Sequence, residues 1–224
     1  GETACREEPR LPVRERAPLA DYARSGWDRG HMAPAGDTPT DAAEAESFTL
    51  ANVVPQDPDL NRGLWADIEA ATREMAHREG EVFVLTGPTF EGGTLRQLNG
   101  RVLVPTGLWK AVWVPARGEA GAWVVANAPD AGLRGIALTD LDTIAGIAAF
   151  PSLPAPVRAA GMRLPEPLRH EPRHHPGHGR GGAPAGPASN CADTAALALL
   201  LALGAVAAGG GLLTWRAVER GRGR

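Results

Sequence analysis

Lysine is almost missing from this chain. Of 23 basic residues, 22 are arginine and Lys110 is the one lysine, an imbalance that reads as coding bias more than function. Cysteine is nearly as scarce: Cys5 and Cys191 stand at opposite ends of the 224 residues. Two thiols so placed give no ligand spacing for zinc, and they pair only if the tail folds back. An excess of basic charge is missing too. Residues 1–168 hold 16 basic and 23 acidic side chains, a net of −7, and residues 169–224 hold 7 basic and 3 acidic, a net of +4. Phosphate neutralisation drives non-specific affinity for nucleic acid, so an acidic domain can bind it only through a local site and a metal. The chain starts at Gly1 with neither a methionine nor an apolar leader. The expectation is that a signal peptide or another leading segment has been removed.

What is present suits one globular domain carrying extra segments: 43% of residues are hydrophobic and 22% charged. Residues 1–20 are charged and proline-rich, with no strand periodicity. "SFTLANVV" (Ser47 to Val54) reads as a strand ending at Pro55. "DPDLNRGLWADIEAATREMAHREG" (Asp57 to Gly80) reads as one helix, capped by Asp59 and ended by Gly80. On it Leu64, Ile68, Ala71 and Met75 fall within about 60° of one another as a core stripe. Asn61, Trp65, Glu69 and Arg73 advance by about 40° each along the neighbouring face. On spacing alone these four read equally well as solvated residues flanking a core face.

Valine- and tryptophan-rich strands are predicted over Glu81 to Gly87, Arg101 to Pro105, Leu108 to Pro115 and Ala122 to Ala128. A helix follows in "TDLDTIAGIAAF", with Thr139 and Asp142 as a capping-box variant. The domain is drawn over residues 1–164. Residues 165–194, rich in proline and glycine with His170, His174, His175 and His178, read as a disordered linker. Residues 195–215 are uncharged and long enough for an apolar helix crossing a bilayer, which takes roughly 20 residues. The basic end, 216–224, would then stay in the cytoplasm. A cleaved sorting signal and a core hairpin are the open alternatives.

Chemistry concentrates around "SGWDRGHMAPAGD" (Ser25 to Asp37). A histidine titrates near neutrality and suits a general base. Arg29, two residues before His31, suits the planar grip on phosphate. Asn61, Glu69 and Arg73 add an amide, a carboxylate and a second guanidinium. Together these supply a base, oxygen donors for a hard cation and cationic clamps, which is what phosphodiester hydrolysis needs.

The stretches Asp21 to Asp37 and Phe48 to Arg73 resemble the DNA/RNA non-specific endonucleases, the endonuclease G-like ββα-metal (His-Me finger) nucleases. Weaker echoes follow in "VFVLTGPTF", "VPTGLWKAV" and "DLDTIAGIAAFPSLP". DRGH alone is a weak signal; DRGH, then N-V-V-P-Q, then N-x-x-x-W-x-x-x-E-x-x-x-R is a strong one. The resemblance covers Asp21 to Pro154, about three-fifths of the chain. It implies an α+β fold, an antiparallel β-sheet flanked by helices, with His31 in an irregular hairpin facing the Asn61 helix.

By the same resemblance His31 is the general base and Asn61 the direct ligand of Mg2+, with Mn2+ as a substitute. Glu69 hydrogen-bonds the ion's water shell, and Arg29 and Arg73 contact the scissile phosphate. Asn52 and Gln56 are architectural, Trp65 is core packing beneath the site, and Asp28 shapes the turn. The implied reaction leaves 5′-phosphate and 3′-hydroxyl ends on DNA and RNA, with little sequence preference because the site grips phosphate and sugar.

Two features depart from the family. Fewer residues precede DRGH, so the first strand is expected to be missing or degenerate and a sheet edge exposed. No further phosphate-binding arginine is assignable among Arg6, Arg10, Arg14 and Arg16. The acidic balance also predicts a weaker grip on long nucleic acid. The sequence implies location in the cell envelope or beyond the cytoplasm, anchored through 195–215, and leaves the oligomeric state open, a homodimer included. Two other functions stay in view: a membrane-anchored nucleic-acid-binding scaffold without turnover, and a phosphodiesterase for another substrate.

Overall fold

The computed structural model describes residues 5–167 and the backbone of Trp215–Arg216. Helix α1 (Leu19–Tyr22) leads into strand β1 (Asp28–His31); helix α2 (Asp41–Ser47) leads into strand β2 (Val53–Gln56). Helices α3 (Pro58–Arg62) and α4 (Leu64–Glu79) follow, then strand β3 (Phe83–Thr89). Strands β4 (Gln97–Leu98) and β5 (Val102–Leu103) form a small hairpin ahead of β6 (Gly107–Val114), β7 (Glu119–Ala126) and β8 (Leu133–Ile136). Helices α5 (Leu138–Ala145) and α6 (Ala155–Ala160) come next, and β9 is Trp215–Arg216. The main sheet is antiparallel throughout, in the order β8-β7-β6-β3-β9.

Helices cover both faces of that sheet, so β6 reads as a nearly unbroken buried run. Alternation divides it. Leu108 and Val112 meet Trp65, Ile68 and Met75 of α4 on one face, while Trp109 and Ala111 meet Leu138 and Leu141 of α5 on the other. Full burial of a side chain such as Ile68 or Met75 stabilises by about 1.5–3 kcal/mol, and both are 0% exposed. That burial fixes where α4 lies. A third cluster, with Tyr22, Phe48, Leu50, Val53, Leu98 and Val104, fastens the first half of the chain to the β4–β5 hairpin. Cys5 belongs to this cluster and is disulfide-bonded.

The four predicted strands from residue 81 onward and the helix near 140 lie where the sequence puts them, with shifted bounds. Other expectations change. Residues 47–54 are not a strand: α2 ends at Ser47, a 3-10 turn covers Leu50–Asn52, and β2 starts at Val53. The predicted 101–105 strand shrinks to one arm of the small hairpin. The 57–80 helix is two helices, and Asp57 caps the first, its carboxylate accepting from Asp59 N at 3.0 Å and Leu60 N at 3.2 Å. A Cβ on Gly63 would lie 2.7 Å from the Asp59 carbonyl oxygen, so this sharp break admits only glycine. Thr139 and Asp142 form no capping box; Asp142 instead accepts from Ala149 N at 3.0 Å and pairs with Arg158.

Among the described residues ahead of β1 no strand forms; Arg6 makes a single parallel bridge to Thr49. On the outer edge of β3, among the described residues, only Phe83 and Val84 are paired, to Arg216 and Trp215. The membrane reading puts those two residues at the end of a spanning segment and in the cytoplasm, whereas their backbone here lies on the sheet edge. The remaining linker and apolar segment, and the basic end beyond Arg216, fall outside the described residues. Among the described residues no helix is long and apolar enough to cross a membrane.

Glu8 anchors the leading segment. It is 5% exposed, receives three hydrogen bonds from Arg10 and accepts one from Thr49 Oγ1 at 2.9 Å. The Arg10 guanidinium, helped by the backbone and Thr49 bonds, outweighs burial and lowers the Glu8 carboxyl to about 2. A depressed folded-state value stabilises above the unfolded value of 4.5 and is lost as pH falls from there toward about 2. Glu8→Gln should therefore melt below the parent at pH 7, and the gap should close between pH 4.5 and 2 in melting curves against pH.

Candidate functional site

Strand β1 pairs antiparallel with β2, Asp28 opposite Gln56 and His31 opposite Val53. Period-2 alternation sends Arg29 and His31 to one side of β1, and Asp28 with the Cα of Gly30 to the other. Gly30 is dictated by packing: a Cβ there would stand 1.9 Å from Oε1 of Gln56, which is 0% exposed. The His31 ring meets Phe48 edge-on, with centroids 5.3 Å apart and planes at 90°. Asn52, 4% exposed, clamps the turn after His31. Its Oδ1 accepts from Ala33 N at 2.9 Å, and its Nδ2 donates to the carbonyls of Ala33 at 2.8 Å and Ser47 at 2.9 Å. Gln56 and Asn52 thus shape the strand that carries His31.

Asp28 does not shape a turn. It lies within β1, is 7% exposed, and accepts three hydrogen bonds from α3. Asn61 Nδ2 donates at 3.0 Å, Arg62 Nε at 2.7 Å and Arg62 Nη2 at 2.6 Å. An ionised carboxylate only accepts, so Asn61 must turn its NH2 to Asp28 and direct Oδ1 elsewhere. Its hydrogen bonds to Asp28 raise the Arg62 guanidinium above its ordinary value. No sequence signal marked Arg62, whose partner lies 34 positions away.

The break at Gly63 removes Asn61 from the continuous stripe read along the sequence. Trp65, Glu69 and Arg73 still share one face of α4, while Asn61 reaches the site from α3. Trp65 is 1% exposed and packs in the core; Glu69 is half-buried. Arg73 Nη1 pairs with Asp37 Oδ1 at 2.8 Å, tying α4 to the segment just after His31. Asp37 closes the DRGH-containing stretch but had no reason to be singled out before this contact. Arg29 Nε is buried and makes no hydrogen bond within the protein, so this guanidinium holds an unused donor. Tyr22, the one tyrosine of the chain, feels the positive charge of Arg29; burial raises its hydroxyl above the ordinary value, and that charge opposes the rise. Of the leading arginines, Arg10 pairs with Glu8, Arg14 with Glu15, and Arg16 donates to the carbonyls of Leu11 and Pro9.

Among the described residues no group of three or more His, Cys, Asp and Glu is placed to hold a metal. The donors that the fold does supply are the Asn61 amide oxygen, oriented by Asp28, and the Glu69 carboxylate. Both are hard oxygen donors and fit magnesium, which keeps most of its waters and takes few protein ligands.

A model of the DNA/RNA non-specific endonuclease family matches residues 6–155. The chain is 36% identical over 170 residues to the mitochondrial nuclease EXOG of Danio rerio, covering 66% of this chain and 49% of that one. It is 36% identical over 168 residues to nuclease C1 of Cunninghamella echinulata var. echinulata, covering 66% of each. Human mitochondrial endonuclease G is 36% identical over 138 residues, 55% of this chain and 46% of that one. A crystal structure of the EndoG/EndoGI complex contains a similar fold, with TM-score 0.61 and 25% identity over 68% of this chain and 71% of that one. The chain spans about half the length of the mitochondrial relatives it matches.

The Asn52 clamp makes a direct prediction. Asn52→Ala leaves the Ala33 amide and two carbonyls without their partner, and should destabilise the fold by roughly 2–4 kcal/mol. Urea unfolding of the two proteins checks it.

Proposed function

The chain belongs to the DNA/RNA non-specific endonuclease family, and on that premise we propose a magnesium-dependent endonuclease that cuts DNA and RNA backbones to 5′-phosphate and 3′-hydroxyl ends. The observation that carries this reading is the Asp28 junction. It fastens the strand bearing Arg29 and His31 to the helix bearing Asn61, and orients the Asn61 amide by its chemistry alone.

In this reading His31 takes the proton of the attacking water. Arg29, with its unused Nε donor, and Arg73 hold the phosphate as charge builds on its oxygens. Asn61 would hold the cation through Oδ1, and Glu69 would order its hydration. A bound Mg2+, or Mn2+ in its place, supplies neutralisation of the charge developing on the phosphoryl and leaving oxygens. These groups address phosphate rather than base edges, which supports cleavage with little regard to sequence.

For location we propose a compartment outside the reducing cytosol, where disulfides such as that of Cys5 persist. Membrane attachment through 195–215 competes with the pairing at the sheet edge, where Trp215–Arg216 bond to β3 and support a tail returning to the domain. Carbonate washing separates the two. A spanning segment keeps the protein in the membrane pellet, and a returned tail releases it.

The activity is tested with supercoiled plasmid and single-stranded RNA, using the full chain with magnesium, with excess chelator, and as His31→Ala. Both substrates should be cut, and chelator should stop the cutting. His31→Ala should lose about 100- to 10,000-fold in rate, the range of a general base, with an unchanged melting temperature. Products should ligate without added phosphate. A folded parent that cuts neither substrate would refute the proposal.

A further inference from the structure

The chain's single lysine is 1% exposed and sits in the middle of β6, between Leu108 and Val112 on the face that α4 covers. Lys110 Nζ donates to Thr86 Oγ1 on β3 at 2.8 Å and stands 5.2 Å from the centroid of the Trp65 ring. One hydroxyl and one aromatic face do not compensate an ammonium taken out of water. Trp65 lies one turn before Glu69 and two before Arg73 on the same α4 face. Burial pushes the Lys110 amine below its ordinary value; the Glu69 and Asp37 carboxylates act against that fall, and Arg73 acts with it.

Glu69, Asp37 and Arg73 all act electrostatically on Lys110, a quartet of two carboxylates and two cations in which Arg73 bonds Asp37 directly. We propose that Lys110 is a positioning residue for phosphodiester cleavage, its ammonium, seated on Thr86 and Trp65, holding Glu69 from beneath α4 and balancing the Asp37–Arg73 pair. This rests on the reading of Glu69 and Arg73 as site residues. Without Lys110 the quartet carries a net negative charge beside a site that must accept an anion, in a domain whose balance is already −7 over residues 1–168. A buried cation is also screened much less by salt than a surface arginine, so its effect persists at high ionic strength.

Because Lys110 is the one lysine, full-length protein labelled with 13C,15N-lysine gives a single side-chain NMR signal. Glu69→Gln should shift that signal, and Glu79→Gln, at the far end of α4, should leave it in place. Lys110→Met retains the apolar stem and should lower kcat by about 10- to 100-fold, as loss of a supporting partner does. KM should change little and the fall should persist at high salt, with Lys110→Arg recovering part of it. A lysine that merely packs would change melting temperature and leave kcat alone. The proposal falls if the labelled signal ignores Glu69→Gln, or if folded Lys110→Met turns over like the parent. Should Lys110→Met not fold, the labelled parent and Glu69→Gln decide. A parent that cuts nothing refutes the nuclease reading instead, and the signal still decides the coupling of Lys110 to Glu69.

Discussion

Three hydrogen bonds into one buried carboxylate hold the candidate site together. Strand β1 is four residues long and α3 is five, and neither is large enough to fix its own position. Asp28 joins them, receiving Arg62 through two nitrogens and Asn61 through its amide. A second pin, from Arg73 to Asp37, closes the segment after His31 onto α4. The stable part of the molecule lies behind these pins. Helix α4 is set on the sheet by Ile68 and Met75, so the short elements borrow their position from a packed core. Asp28 is the buried member of the pair and Arg62 is largely exposed, so losing Arg62 leaves a buried carboxylate short of a partner, and losing Asp28 releases the Asn61 amide.

The arrangement answers the question posed by the charge balance. The proposed phosphate-directed function asks an acidic domain to concentrate its positive charge. Arg29 supplies an unsatisfied buried donor, Arg73 is held by Asp37, and Lys110 is seated on Thr86 and the Trp65 ring. Most leading arginines are engaged within their own segment. On the proposed function, attraction for phosphate would be local and short-ranged, unlike that of nucleic-acid binders that rely on a basic face.

Local patterns carried much of the fold. Ile68, Ala71 and Met75 repeat at helical spacing and are buried, and the valine- and tryptophan-rich runs after residue 81 became β3, β6 and β7 because both sheet faces are covered. What stayed hidden depends on contacts distant in sequence. Residues 47–54 have strand composition, yet Asn52 bonds Ala33 and Ser47 and bends the segment into a turn before β2. Gly63 resembled an ordinary helical glycine until the carbonyl of Asp59 was seen against it. The candidate residues His31, Arg29, Asn61, Glu69 and Arg73 came from the resemblance of their motifs to the family, since on spacing alone Asn61, Glu69 and Arg73 read equally well as solvated residues. The roles of Asp28, Arg62, Asp37 and Lys110 were not, because each acts across elements that no local periodicity relates.

The central claim is that Asp28 presents the oxygen of Asn61, and not its own carboxylate, to the cation. The most direct test is a crystal structure grown with Mn2+, with the ion located by its anomalous scattering. The account predicts one ion on Asn61 Oδ1, with Glu69 facing its waters and Asp28 still accepting from Asn61 Nδ2 and Arg62. An ion bound by the Asp28 carboxylate, or an Asn61 amide turned the other way, would contradict it.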